Sequence, residues 1–203
     1  FDRSLTILSE GGVRLLDRDL DLESEMEALH EKGGIVSAEA FHHHRASLDR
    51  VRDGYDPRVR AYILEGTQQS AADYIELLAR RRRFAAWWAE TMGAFDAVVL
   101  PTVPIAPPPI DALASDEAFR RSDGLLLRNP VIANIAGLPS ISLPMPTGEG
   151  PPAGLMLFGR AGGDRRLFEI ACALERLLDA AAGPERPRPW LWRAEDSVGA
   201  AGL

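Results

Sequence analysis

Apolar residues recur along this chain at two spacings, and the switch between them lays out alternating helices and short strands. Phe1, Leu5 and Leu8 are spaced as the end of a helix, and Glu10-Gly11-Gly12 stops it, since glycine takes a helix C-cap backbone without steric cost. Residues 13–17, VRLLD, read as a short strand. Residues 22–31 form an amphipathic helix that ends at Gly33-Gly34. Ser37 is placed as the N-cap of the next helix, with Ala40 as a strong helix former, and that helix runs to about Arg52. Pro57 suits the first turn of a short helix after Gly54. The longest helix spans residues 70–92, with Tyr74, Leu77, Leu78, Phe84, Trp87 and Trp88 on its apolar side and Gly93 at its end.

Beyond Gly93 the pattern shortens. Residues 97–100, AVVL, are an apolar run of strand length with two β-branched members, which predicts a buried strand. It leads into a loop over 101–123 that holds five prolines and a short helix at 115–121. Long ordered loops in compact domains are usually functional. A helix over 129–136 is closed by Gly137, a strand follows at 140–143, a turn at 147–152 and a strand at 153–158. Residues 165–180 follow the helical rule through Leu167, Ile170, Ala171, Leu174, Leu177 and Leu178, with Asp164 at the N-cap. Alternating strands and helices predict an α/β domain over residues 1–183, followed by a Pro- and Arg-rich tail at 184–203 carrying Trp190 and Trp192.

Composition narrows the function classes. The chain has 203 residues, 46% hydrophobic, enough to build a packed core. Its net charge of −7 argues against a nucleic-acid surface, which needs a basic field to displace counterions. Arg80 to Arg83 run against that average and read as an ion-paired or solvated helix face. No apolar run approaches the roughly 20 residues that span a bilayer. The single cysteine, Cys172, lies in an apolar helical pattern and reads as a small buried residue. With no leader and no need for an oxidising compartment, the expectation is a cytoplasmic protein, and the start at Phe1 without Met reads as part of a longer one. All basic residues but Lys32 are arginine, which favours a GC-rich bacterial source.

Candidate chemistry is sparse. His42, His43 and His44 are consecutive on a helix, where neighbours point about 100° apart, so they cannot share one metal ion. Lys32 stands beside Glu31 at a helix end and reads as a surface residue rather than a desolvated base. Arginine cannot replace it, because it does not deprotonate. Ser140 and Ser142 alternate on one strand face, and the plainer reading has them facing a helix. In open α/β sheets, ligands gather where strands end. Thr102 follows a strand end directly, and Arg128-Asn129 opens the next helix, where Arg128 is able to pair with a carboxylate. Thr102, Arg128 and Asn129 are therefore the pocket candidates. Asn129 also reads as an N-cap, and Asn134 as a residue that satisfies buried backbone.

Three stretches in order carry a resemblance: FDAVVLPTVPIAPP, NPVIANIAGLPSISLP and AGLMLFGRAGGDRRLFEIACALERLL. They place Phe95, Asp96, Pro101, Thr102 and Pro104, then Asn134, Gly137, Pro139 and Pro144, then Gly154 and Gly159, then Asp164, Leu167, Ala171, Leu174 and Glu175. This pattern resembles the C-terminal half of amidase signature enzymes, and AEAFHHHRASLDRVRDGYDPRVRAYILEG resembles the helical region of bacterial members. Met145-Pro146 departs from the glycine that members often carry there.

The resemblance implies the C-terminal part of an α/β/α sandwich around a mixed sheet. It implies hydrolysis of a small amide without metal or organic cofactor. The family's Ser–cis-Ser–Lys machinery maps onto no residue of this chain, so the resemblance places it in an N-terminal half that would be this chain's partner. A truncated sandwich exposes apolar surface, which the missing half or a homodimer would cover. The alternatives are a protein like the A subunit of glutamyl-tRNA amidotransferase, or a non-catalytic scaffold that kept the fold.

Overall fold

The computed structural model describes residues 1–48, 50, 51, 54–146 and 152–182. Among these residues there are eight α-helices: α1 (Asp2–Glu10), α2 (Glu23–His30), α3 (Gly34–Leu48), α4 (Pro57–Glu65), α5 (Ala71–Met92), α6 (Asp116–Leu127), α7 (Pro130–Ala136) and α8 (Asp164–Ala182). Among the described residues three strands, β1 (Val98–Pro101), β2 (Ser140–Pro144) and β3 (Gly154–Phe158), form one sheet in the order β1-β3-β2. Both pairings are antiparallel, so the strands present here show only that pairing of the expected mixed sheet. The α/β class itself is as the alternation of periods indicates.

The central strand β3 explains the layering. Successive strand side chains point to opposite faces. Met156 and Phe158 enter a core with Leu29 of α2, Phe84, Trp88 and Met92 of α5, and Ile132 and Ile135 of α7. Leu155 and Leu157 enter a second core with Leu8 of α1, Leu143 of β2, and Leu167, Leu174 and Leu178 of α8. Helices therefore cover both faces of the sheet. Each fully buried leucine of this kind contributes about 1.5–3 kcal/mol.

Helix ends follow local chemistry. Ser70 caps α5: its side chain accepts from the Asp73 N–H, and the Asp73 carboxylate accepts from the Ser70 N–H, a reciprocal capping box. Asp56 caps α4 by accepting from the N–H groups of Arg58 and Val59. Gly137 ends α7 in the left-handed conformation, at φ 71°. The arginine cluster is largely engaged. Arg80 grips Glu25 of α2 through two bonds of 2.9 and 2.8 Å, Arg83 pairs with Glu76, and Arg81 donates to the Ile135 carbonyl near the end of α7. The bond from Arg80 is the main reason the Glu25 carboxyl lies below its ordinary pKa. That preference for the ionised form supports folding at neutral pH and fades as pH falls through the lowered value.

Several expectations are corrected. Residues 13–17 join no strand: the Val13 N–H bonds back to the Leu8 carbonyl, Val13 packs onto the α8-side core, and Leu16 is left exposed. Ser37 is no N-cap. The chain enters α3 at Gly34, after Lys32, Gly33 and Gly34 take positive φ, and Ser37 is buried within the helix. It lies against two glycines; a Cβ on Gly33 would strike its hydroxyl and one on Gly66 its carbonyl. The strand at 98–101 is half-buried rather than buried, and among the described residues it pairs only with β3. The expected loop over 101–123 instead holds a single turn at Ile110–Leu113, and α6 runs on to Leu127 from its Ser115 cap. Cys172 is exposed: α8 buries Leu167, Ala171, Leu174 and Leu178, and the next position after Ala171 turns outward. Asp49, Arg52 and Asp53, most of the turn at 147–152, and the tail with Trp190 and Trp192 lie outside the described residues.

The α5 cap offers a direct check. Ser70→Ala removes the acceptor for the Asp73 N–H and is expected to lower stability by about 1 kcal/mol, measured by chemical denaturation. An unchanged midpoint would contradict the assigned cap.

Candidate functional site

Thr102 is fixed at the end of β1 because its N–H donates to the Gly154 carbonyl at 2.8 Å, extending the β1–β3 pairing by one residue. The β2–β3 register sets Ser142 opposite Met156 and Pro144 opposite Gly154. Gly154 thus lies between the two outer strands. The Thr102 and Ser142 hydroxyls meet above it, 2.5 Å apart. A Cβ at Gly154 would collide with both hydroxyl oxygens. The pair forms because this position of β3 has no side chain.

Asn129 holds the same strand end from the other side. Its Nδ2 donates to the Pro101 carbonyl at 2.7 Å, and the residue is buried. It does not cap α7 with its side chain. The structure therefore brings Thr102 and Asn129 to adjoining residues of one strand end. Arg128, in contrast, closes α6, and its exposed side chain has no polar partner among the described residues. Asn134 is exposed as well, so it does not serve buried backbone.

The serines also differ from the plainer reading. Ser140 and Ser142 are exposed, and it is Ile141 and Leu143 that turn to α8. Strand alternation put both serines on one face, but only the β2–β3 register shows that Ser142 reaches Thr102. Ser142 and Gly154 are the residues that sequence reasoning missed as a contact.

The chemistry available here is hydrogen bonding. One hydroxyl of the pair donates to the other, and the second keeps a proton and lone pairs for a ligand. Among the described residues no lysine, histidine or carboxylate bonds to either hydroxyl. A hydroxyl without an adjacent base is a weak nucleophile, so the rim is suited to holding a polar group rather than attacking it. Lys32 takes no part. It lies 3.2 Å from Asp73 and its side chain is 40% exposed. Two of the four histidines are engaged locally, His44 with the Tyr55 hydroxyl and His30 with the Met26 carbonyl. Among the described residues no group of three or more His, Cys, Asp or Glu is arranged to hold a metal ion. No helix among them is long and apolar enough to cross a membrane.

Gly154→Ala is expected to force the hydroxyl pair apart and lower stability by about 1–3 kcal/mol. Adding Ser142→Ala should restore part of that loss. Denaturant titration of the two variants measures it, and a Gly154→Ala chain as stable as the parent would contradict the geometry.

Comparison with known proteins agrees with this architecture. The Amidase family model matches residues 9–168. A fatty acid amide hydrolase of Medicago truncatula is 34% identical over 142 residues, which are 68% of this chain and 22% of that protein. The glutamyl-tRNA(Gln) amidotransferase A subunit of Parvibaculum lavamentivorans is 33% identical over 147 residues, 70% of this chain and 28% of that protein. A crystal structure of an amidase superposes with a TM-score of 0.72 at 26% identity, covering 88% of this chain and 41% of its own. The chain thus spans well under half the length of these relatives. With its matched motifs folded into a sheet covered by helices on both faces, the chain belongs to the amidase family.

Proposed function

We propose that the full-length protein hydrolyses a carbon–nitrogen amide bond, with water supplying the elements that yield a carboxylic acid and ammonia or an amine. Residues 1–183 form the C-terminal portion of its amidase domain and residues 184–203 an appended tail. The observation that carries this reading is the rim at the end of β1, where the Thr102 hydroxyl meets Ser142 from the middle of β2 and Asn129 bonds the adjoining Pro101 carbonyl, in a chain of this family. In this reading the Thr102–Ser142 pair bonds the polar part of a small amide. Asn129 keeps the rim in place through Pro101, and Arg128 contacts the substrate from the end of α6.

The groups that attack the amide come from the portion of the relatives' length that this chain does not span. The exposed, ion-paired Lys32 supports that division, since a catalytic lysine needs desolvation to act as a base near neutral pH. The reading needs no metal or organic cofactor. It includes an amino-terminal portion as the essential partner and a cytoplasmic, bacterial setting. The similarity to amidotransferase A subunits favours a second form of the same chemistry, in which the released ammonia passes to a different polypeptide.

Two measurements test the proposal. The 203-residue chain alone should give no turnover on a panel of simple amides, and the full-length protein should turn over at least one. Thr102→Val in the full-length protein should raise KM by about tenfold, the worth of one hydrogen bond to a bound polar group. Robust hydrolysis by the isolated chain would overturn the division of labour. Co-purification with two further polypeptides would select the amidotransferase form.

A further inference from the structure

A cleft of about 360 Å³ opens between α4 and α6, within the size range of small-molecule pockets. Its lining includes Asp56, Arg58 and Tyr62 on one side and Asp116, Phe119 and Arg120 on the other. The charges in it are unequally satisfied. On α6, Asp116 lies four residues before Arg120 and Asp123 three residues after it, spacings at which helical residues pair. Neither pairs with Arg120. Asp116 accepts from Arg58 Nε at 2.8 Å, and Asp123 accepts from the Tyr62 hydroxyl at 3.2 Å. Asp56 is taken by the first N–H groups of α4. Arg58 also donates to the Ala114 carbonyl, and its guanidinium lies over the Phe119 ring, 4.5 Å from the centroid.

Arg120 is left as the cation of the cleft with no ion pair or hydrogen bond among the described residues. Its charge reaches the Tyr62 phenol, opposing the upward pKa shift that burial and then Asp123 impose there. A guanidinium presents parallel N–H groups that match a carboxylate. Two aromatic rings beside it offer a surface for an apolar body. We propose that this cleft binds a small monocarboxylate with a flat apolar body, its carboxylate on Arg120 and its body beside Tyr62 and Phe119.

The inference is read by binding and is independent of amide turnover. Calorimetric titration of the full-length protein uses phenylacetate and its uncharged counterpart 2-phenylethanol. R120Q should weaken phenylacetate by about tenfold or more and leave 2-phenylethanol unchanged, while R120K keeps part of the affinity. Y62F supplies a second test, because it frees Asp123 to pair with Arg120. Phenylacetate should then bind more weakly, and adding D123N should restore it. R120Q should melt with the parent protein, and a loss of folding would contradict the unpaired state assigned to Arg120. Equal phenylacetate affinity in R120Q and parent, or no phenylacetate binding by the parent, would overturn the proposal.

Discussion

The alternation of side chains along β3 is the constraint from which the other layers follow. Both neighbouring strands pair with it, and its four apolar residues divide between two cores. Leu155 and Leu157 are covered by α1 and α8, and Met156 and Phe158 by α2, α5 and α7. A slip of one residue in either pairing would exchange the two sets and leave each core with side chains shaped for the other. The sandwich is therefore a consequence of one five-residue strand held on both edges.

The same strand positions the candidate pocket wall. Its first residue, Gly154, leaves the space in which a hydroxyl from each outer strand meets the other. The wall is braced from behind. Asn129 ties the end of β1 to the start of α7, and Arg81 ties the end of α7 to α5. The connection runs from a core helix, through a seven-residue helix, to the rim. Rigid placement of the rim thus comes from the scaffold rather than from the loop that leaves it, in keeping with how binding residues are usually supported.

Much of this was legible in the amino-acid order. Periodicity located α5 and α8, apolar runs located β1 and β3, the segment between Pro139 and Pro144 located β2, and glycines marked helix ends. What escaped depended on partners distant in sequence. Residues 13–17 have strand character, but no described strand edge receives them. Ser37 has a cap's side chain, but the close approach of Gly66 made it an interior residue. Cys172 sits in an apolar stretch, yet the one-residue rotation from Ala171 decides its exposure. At the rim, Thr102 and Asn129 were visible as residues at a strand end and a helix start. The Thr102–Ser142 contact needed the register of β2 on β3, which no single stretch encodes.

The amidase family supplies the wider frame, since this chain spans less than half of the relatives it matches and carries one wall of the proposed pocket. That wall is only as firm as β3. Native-state hydrogen exchange on the full-length protein tests this most directly. Amides of residues 155–158 should open only with global unfolding and belong to the slowest class. Those of α6, a helix with no fully buried residue, should exchange orders of magnitude faster. Exchange in β3 as rapid as in α6 would contradict the account.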